Sequence, residues 1–159
     1  MKFSSREDVE LPIERVFDAV TDFDMFDRRA LRRGAEVSRT DPPTGKGQGT
    51  SWDVSLQFRG RERELQAQVT EYSQPESMAI KSQSGGLKID LTVALVALNP
   101  QKTRVIIGLE LTPSNLSARL LVQSLKLAKA SLSKRFSTAI TDYARSLEQE
   151  NTPPRAAQA

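Results

Sequence analysis

Four polar residues, Glu7, Arg63, Tyr72 and Tyr143, are the candidates for chemistry in this sequence. The chain has no histidine and no cysteine, which excludes imidazole bases, thiolate nucleophiles and the zinc sites built on those residues. Glu7 and Arg63 share the inward phase of apolar strand patterns. We expect both at the wet rim of a sheet, because buried charge is costly unless it is paired. An inward Arg63 would instead suit a carboxylate or phosphate group of a ligand.

Three aspartates lie close together, at Asp22, Asp24 and Asp27. Oxygen-rich loops bind Ca²⁺ or Mg²⁺, but this spacing fails an EF-hand, because Asp27 stands where glycine is required and Arg33 where a glutamate is required. Helix capping explains Asp22 better, and we expect the other two to pair locally with the arginines that follow. The sequence therefore predicts no metal site.

The glycine-rich segment 45–49, Gly-Lys-Gly-Gln-Gly, has the composition of a phosphate-binding loop. Such a loop opens a helix, whose first N–H groups meet the phosphate. This segment instead precedes an alternating strand pattern that begins at Thr50. We therefore expect a flexible hairpin connection.

Composition places the chain among ordinary globular proteins, with 159 residues, 38% hydrophobic and 27% charged, and a formal net charge of +3. No stretch is apolar enough to span a bilayer and the start has no apolar signal core, so we expect a cytoplasmic protein. Aromatic residues do not interleave with the basic ones, so we expect no nucleic acid partner. Solvated helix faces, or a transient contact with an anionic membrane, explain the basic clusters. These clusters are Arg28, Arg29, Arg32 and Arg33, then Lys126, Lys129, Lys134 and Arg135.

Hydrophobic periodicity predicts the elements that must position these residues. Strand alternation runs over 3–11, and helical spacing follows over 12–21 and 25–33, where Gly34 ends the second helix. Short connections then imply an antiparallel meander. Its six strands are predicted at 35–40, 50–59, 61–72, 77–83, 87–98 and 103–112.

A long helix is predicted from Asn115 to Glu148, followed by a disordered tail at 149–159, so residues 1–148 form one domain. The helix and one sheet face are both apolar, and we expect the helix to lie across that face. Its inward residues line either a ligand cavity or a closed core, because both have the same pattern. The candidates are Trp52, Phe58, Leu91, Ile107, Leu125, Ala128 and Leu132.

Two segments carry a family resemblance, together with the order of the elements. They are segment 9–23, with its strand, Pro12 and the Val16-Phe17 pair, and Gly47-Gln48-Gly49-Thr50-Ser51-Trp52. The chain resembles the START-like or Bet v 1-like helix-grip superfamily (SRPBCC), in particular its bacterial polyketide cyclase/dehydrase and lipid-transport group. The resemblance implies an α+β fold, with a seven-stranded antiparallel sheet wrapped around a long C-terminal helix and two short helices after the first strand. It also implies a cavity between helix and sheet. In such folds a glycine-rich hairpin at 45–49 can cover the cavity mouth, so a gating role is the alternative to a flexible connection.

We therefore expect a monomer that binds and carries a hydrophobic small molecule or lipid, without a cofactor. A cyclase or dehydratase acting on a cavity-bound substrate and a protein-interaction module are the alternatives. An enzyme would need a titratable group with a perturbed pKa inside the cavity. The four polar candidates form no recognisable catalytic set, so we assign no catalytic residue.

Overall fold

The computed structural model describes residues 1–151 of the chain. Its strands form one sheet in the order β1-β7-β6-β5-β4-β3-β2, with every neighbouring pair antiparallel. The predicted seven-stranded antiparallel meander is confirmed, with strand bounds close to those expected. The strands are β1 Lys2–Val9, β2 Glu36–Thr40, β3 Ser51–Phe58, β4 Arg61–Ser73, β5 Ser77–Ser84, β6 Leu87–Asn99 and β7 Lys102–Pro113.

Two short helices, α1 (Ile13–Val20) and α2 (Phe23–Arg32), connect β1 to β2. Pro12 precedes α1, where its missing N–H leaves no intrahelical bond unmade. The Asp22 carboxylate accepts a hydrogen bond of 3.2 Å from the backbone N–H of Met25, which satisfies one free donor at the start of α2. The capping role predicted for Asp22 is therefore confirmed.

The long C-terminal helix is interrupted at Ala128, which divides it into α3 (Leu116–Leu127) and α4 (Lys129–Asn151). There the backbone N–H of Ala128 bonds to the Leu125 carbonyl at 3.0 Å, a bond three residues back that tightens the last turn. All side chains from 126 to 131 are exposed, so the helix leaves the sheet at this junction. No proline or glycine lies between 116 and 150, and the sequence therefore does not mark the break.

A closed core fills one end of the space between sheet and helices. Helix α1 packs on β6 and β7 there, and the last turns of α4 pack beside it. Buried side chains from these elements interlock, with Phe17 only 1% exposed. Other members of this core are Val9, Val16, Val20, Val69, Val93, Leu95, Val105, Ala144 and Leu147.

Helix α4 ends at Asn151, inside the segment predicted as a tail. The remainder of that segment, 152–159, lies outside the described residues. Among residues 1–151, no helix combines the length and the apolar character needed to cross a membrane.

Candidate ligand-binding cavity

A cavity of about 480 Å³ lies between the sheet and the helices, beside the closed core. This volume falls within the range of about 300–1000 Å³ that is typical of small-molecule sites. Only two of its lining residues, Asp27 and Ser82, are polar, apart from the hydroxyl of Tyr143. The apolar and aromatic lining residues are Val20, Phe23, Phe26, Ala30, Val37, Trp52, Val54, Ala67, Met78, Ile80, Ile89, Leu91, Val93, Ile107, Leu109, Phe136, Ile140 and Tyr143.

Two helices form the roof of the cavity. On α2, Phe23, Phe26 and Ala30 recur every three or four residues and therefore share one face. On α4, Phe136, Ile140 and Tyr143 do the same. The floor consists of the inward-facing residues of β2 to β7, which alternate with outward residues as strand geometry requires.

A hydrogen-bonded network fixes α2 over the sheet. The indole Nε1 of Trp52 donates to Asp27 Oδ1 at 2.9 Å, and Arg39 donates to Asp27 Oδ2 at 2.9 Å. Arg39 also pairs with Asp24 at 2.7 Å and Asp41 at 3.4 Å. Burial by itself lowers the pKa of Arg39, but the hydrogen bond to Asp24 and the nearby carboxylates raise it above the ordinary value. Both Asp27 oxygens are therefore engaged.

Asp24 and Asp27 were predicted to pair with the arginines of the following helical segment, and this prediction is wrong. Both carboxylates bind Arg39 on β2, rather than the arginines of α2 itself. The reason is tertiary, because Arg39 is only 19% exposed and lies against α2, whereas Arg28, Arg29 and their neighbours remain in solvent.

Tyr143 brings a different polar group to the cavity. Its hydroxyl is buried and has no hydrogen-bond partner among the described residues. Burial, which disfavours the phenolate, raises the pKa of Tyr143 to about 12. The positive charge of Arg29 lowers this pKa, whereas the negative charges of Glu150 and Asp22 raise it. The hydroxyl is neutral at pH 7, as in any tyrosine with a pKa of about 10 or higher, and can donate or accept a hydrogen bond.

The glycine-rich segment 45–49 connects β2 to β3, as predicted, and it is fastened to the helices. Lys46 Nζ donates to the Thr21 carbonyl at 2.9 Å and lies 5.7 Å from the ring centroid of Phe23. The backbone N–H of Gly47 donates to Thr50 Oγ1 at 3.0 Å, which closes the turn before β3. A gating role for this segment stays a prediction.

The structure places Trp52, Leu91 and Ile107 in the cavity wall. The prediction that Phe58 lines the cavity is corrected, because Phe58 ends β3 at an outlying hairpin, is 45% exposed and packs against Arg59 instead.

The helix residues Leu125, Ala128 and Leu132 also lie outside the cavity wall. Ala128 is exposed at the α3–α4 junction, and the two leucines are half-buried on either side of it. The prediction placed them inside because it assumed one uninterrupted helix across the sheet. The break at Ala128 takes this part of the chain away from the cavity.

The remaining polar candidates are dispersed rather than gathered at one site. Glu7 accepts a hydrogen bond of 2.6 Å from Thr141 Oγ1 and so ties β1 to α4. The Tyr72 ring packs edge-on against Phe17, with 5.2 Å between ring centroids. Arg63 has a buried Nε without a partner among the described residues, but it is not part of the cavity wall. Of the four candidates, only Tyr143 reaches the cavity.

Sequence reasoning missed the contribution of α2. The signal was the recurrence of Phe23, Phe26 and Ala30, with Asp27 on the same face. It was hidden by the arginines of this short segment, which suggested a solvated helix. In α4, Ile140 was also missed.

The sequence matches no protein-family model and no curated protein. Solved structures nevertheless share its architecture. The protein TTHA0849 from Thermus thermophilus is 14% identical with a TM-score of 0.66, over 96% of this chain and 100% of that chain. An aromatase/cyclase, Zhui, from Streptomyces sp. R1128 is 11% identical with a TM-score of 0.60, over 91% and 93% of the two chains.

A START superfamily protein from Mycobacterium smegmatis is 15% identical, with a TM-score of 0.53 over 84% of this chain and 95% of that chain. At these identities the likeness establishes architecture rather than activity. The chain has the START-like, Bet v 1-like helix-grip fold.

Proposed function

We propose that the protein binds a hydrophobic small molecule or lipid in the cavity between α2, α4 and the sheet. The observation that carries this proposal is an apolar space of about 480 Å³ whose wall includes Tyr143, a residue with a buried and unpartnered hydroxyl. Apolar walls with a few placed polar groups are the usual composition of small-molecule sites. The similarity in fold to a START superfamily protein and an aromatase/cyclase is consistent with this proposal.

Tyr143 indicates what kind of ligand would fit. A buried hydroxyl without a partner costs about 1–3 kcal/mol, which a ligand acceptor would recover. The neutral Tyr143 hydroxyl can donate a hydrogen bond to a ligand oxygen or accept one from a ligand hydroxyl. The expected ligand is therefore apolar with one carbonyl, hydroxyl or ether oxygen near Tyr143.

The arrangement favours binding over a cyclase or dehydratase reaction. A carboxylate that acts as a general base must be free to take a proton from the substrate. Asp27 is the carboxylate in the cavity wall, and Trp52 and Arg39 already occupy its two oxygens. Carriage of the ligand between partners, a cytoplasmic location and a monomeric state belong to the same proposal.

A neutral naphthyl ketone dye, prodan, tests the proposal because its emission changes in apolar surroundings and its carbonyl can accept from Tyr143. We expect saturable binding at one dye per chain. Ala67→Phe, which places a ring in the cavity, should abolish binding, and Leu91→Phe provides a second filling variant. Tyr143→Phe should weaken binding up to about tenfold, the size of one hydrogen bond.

Ala139→Phe is the matched control, because it adds the same ring on the exposed face of α4. It should bind prodan like the parent protein. The proposal fails if the parent binds no prodan, or if correctly folded Ala67→Phe and Leu91→Phe bind as tightly as the parent. Circular dichroism and the thermal midpoint establish whether each variant is folded.

A further inference from the structure

Helix α3 carries two apolar faces, and only one of them packs against the sheet. Ala118 and Val122 lie on the packed face and are buried. Leu116, Leu120 and Leu127 are 70%, 59% and 93% exposed. At 3.6 residues per turn, these three leucines lie within an arc of about 40°, on the side of the helix opposite the buried pair.

The exposed leucines form a stripe rather than a set of isolated residues. Single apolar residues on a surface are ordinary, whereas aligned ones mark an interaction site. From Leu116 to Leu127 the stripe extends about 17 Å along the helix. Leu127 is the most exposed of the three and lies next to the α3–α4 junction, where every side chain from 126 to 131 is exposed.

The segment of the chain that carries this stripe has only positive charges. Five basic residues and no acidic residue occur between Glu110 and Asp142. The other 18 basic and 20 acidic residues give the rest of the chain a net charge of −2. No ion pair among residues 1–151 involves the five basic side chains. They are Arg119, Lys126, Lys129, Lys134 and Arg135.

We propose that α3 and the α3–α4 junction dock the protein on a bilayer that contains anionic lipids. An interfacial helix inserts its apolar stripe between headgroups, while flanking basic residues contact the lipid phosphates. Arg119 and Lys126 lie on one flank of the stripe, and Lys129 follows at the junction. A second copy of the chain is a poorer partner, because pairing would bring two sets of unpaired basic residues together.

The proposal does not depend on the cavity. Leu116, Leu120 and Leu127 are not part of the cavity wall, so docking and ligand binding can be removed separately. Because the leucines are exposed and their basic neighbours have no ion pairs, substitutions there should leave the fold intact.

Vesicles of phosphatidylcholine, with or without phosphatidylglycerol, test the proposal by flotation. We expect the parent protein to bind the mixed vesicles at least about tenfold more tightly than pure phosphatidylcholine, because each basic residue near an anionic surface adds about fivefold. High salt should release it, since salt screens these contacts. Leu120→Gln/Leu127→Gln and Lys126→Gln/Lys129→Gln should each weaken binding by about tenfold or more.

Two matched double variants control for hydrophobicity and charge elsewhere on the surface. Val96→Gln/Leu98→Gln changes two exposed apolar residues of β6, and Arg32→Gln/Arg33→Gln removes two exposed charges at the end of α2. Both should bind the mixed vesicles like the parent.

Three results would overturn the proposal. The first is a parent protein that does not bind the mixed vesicles. The second is vesicle binding that is unchanged by the leucine or lysine substitutions, or vesicle binding that Ala67→Phe abolishes. Loss of binding in Ala67→Phe would assign the lipid contact to the cavity. The third, measured by light scattering, is a dimer that Leu120→Gln/Leu127→Gln dissociates in the absence of vesicle binding.

Discussion

The two ends of the same sheet face have one sequence pattern and two different structures. On β6, Leu95 is buried in the closed core, whereas Ile89 and Leu91 are half-buried and line the cavity, and Val93 between them belongs to both. On β7, Val105 is buried in the core, while Leu109 borders the cavity. Alternation with a period of two runs through both ends without interruption.

The difference between the two ends lies in what covers them. Helix α1 and the last turns of α4 pack directly on the core end, where Phe17, Ala144 and Leu147 fill the space. At the other end, α2 and the middle of α4 leave about 480 Å³ unfilled. Alternation therefore determines which face of a strand is apolar, whereas the position of the covering helices determines whether that face packs or borders a cavity.

The largest expected effect is the difference in stability loss when a large side chain is truncated to alanine at each end. Phe17→Ala should lower the free energy of unfolding by about 3–5 kcal/mol, because it leaves a void in a packed core. Leu91→Ala should cost about 1 kcal/mol, since its side chain already borders empty space and loses fewer contacts. Urea denaturation followed through the fluorescence of the single tryptophan measures both. Equal losses would mean that the two ends are packed alike.

At the cavity end, Tyr143 should make stability depend on alkaline pH. Its pKa is about 12 in the folded protein and about 10 when unfolded, so folding favours the neutral form. This contribution is complete below pH 10 and disappears as pH rises towards 12, a loss on the order of 3 kcal/mol at most. Urea titrations at pH 8 and 11 should show a steeper loss in the parent than in Tyr143→Phe. Parallel loss in both proteins would assign the alkaline effect to other groups.

Replacing one alanine by leucine at each end tests the same difference and should have a smaller effect on stability. Ala144→Leu overpacks the core and should cost about 1–3 kcal/mol. Ala67→Leu extends into the cavity and should leave the free energy of unfolding unchanged or slightly increased. Thermal and urea unfolding of both variants provide the measurement, and a large loss in Ala67→Leu would indicate that the cavity is not available space.

Much of the fold was predictable because its signals are local. The strand bounds and the two short helices follow from alternation, from Pro12 and Gly34, and from the Asp22 cap. The break at Ala128 was not predictable, since no glycine or proline marks it and the chain continues with good helix formers. Its effect is largest for Leu125, Ala128 and Leu132, which the sequence had placed in the cavity.

The strand residues that form the floor of the cavity were predictable from the sequence, whereas the helix residues that form its roof were predictable only in part. Trp52, Leu91 and Ile107 follow from strand alternation, which is independent of what lies above the sheet. The contribution of α2 depends on Arg39 and Trp52, which reach Asp27 across 12 and 25 positions of the chain. No local pattern in α2 identifies these partners.

By itself, the sequence determined the order of the elements, the apolar face of each strand and the absence of imidazole and thiol chemistry. Those properties depend on residue type and on periods of a few residues. Only the tertiary structure decided which end of the sheet is closed, which of four polar candidates reaches the cavity, and which face of α3 remains exposed. The physical reason is that these outcomes depend on the distance between packed layers, which arises from contacts between residues far apart in the chain.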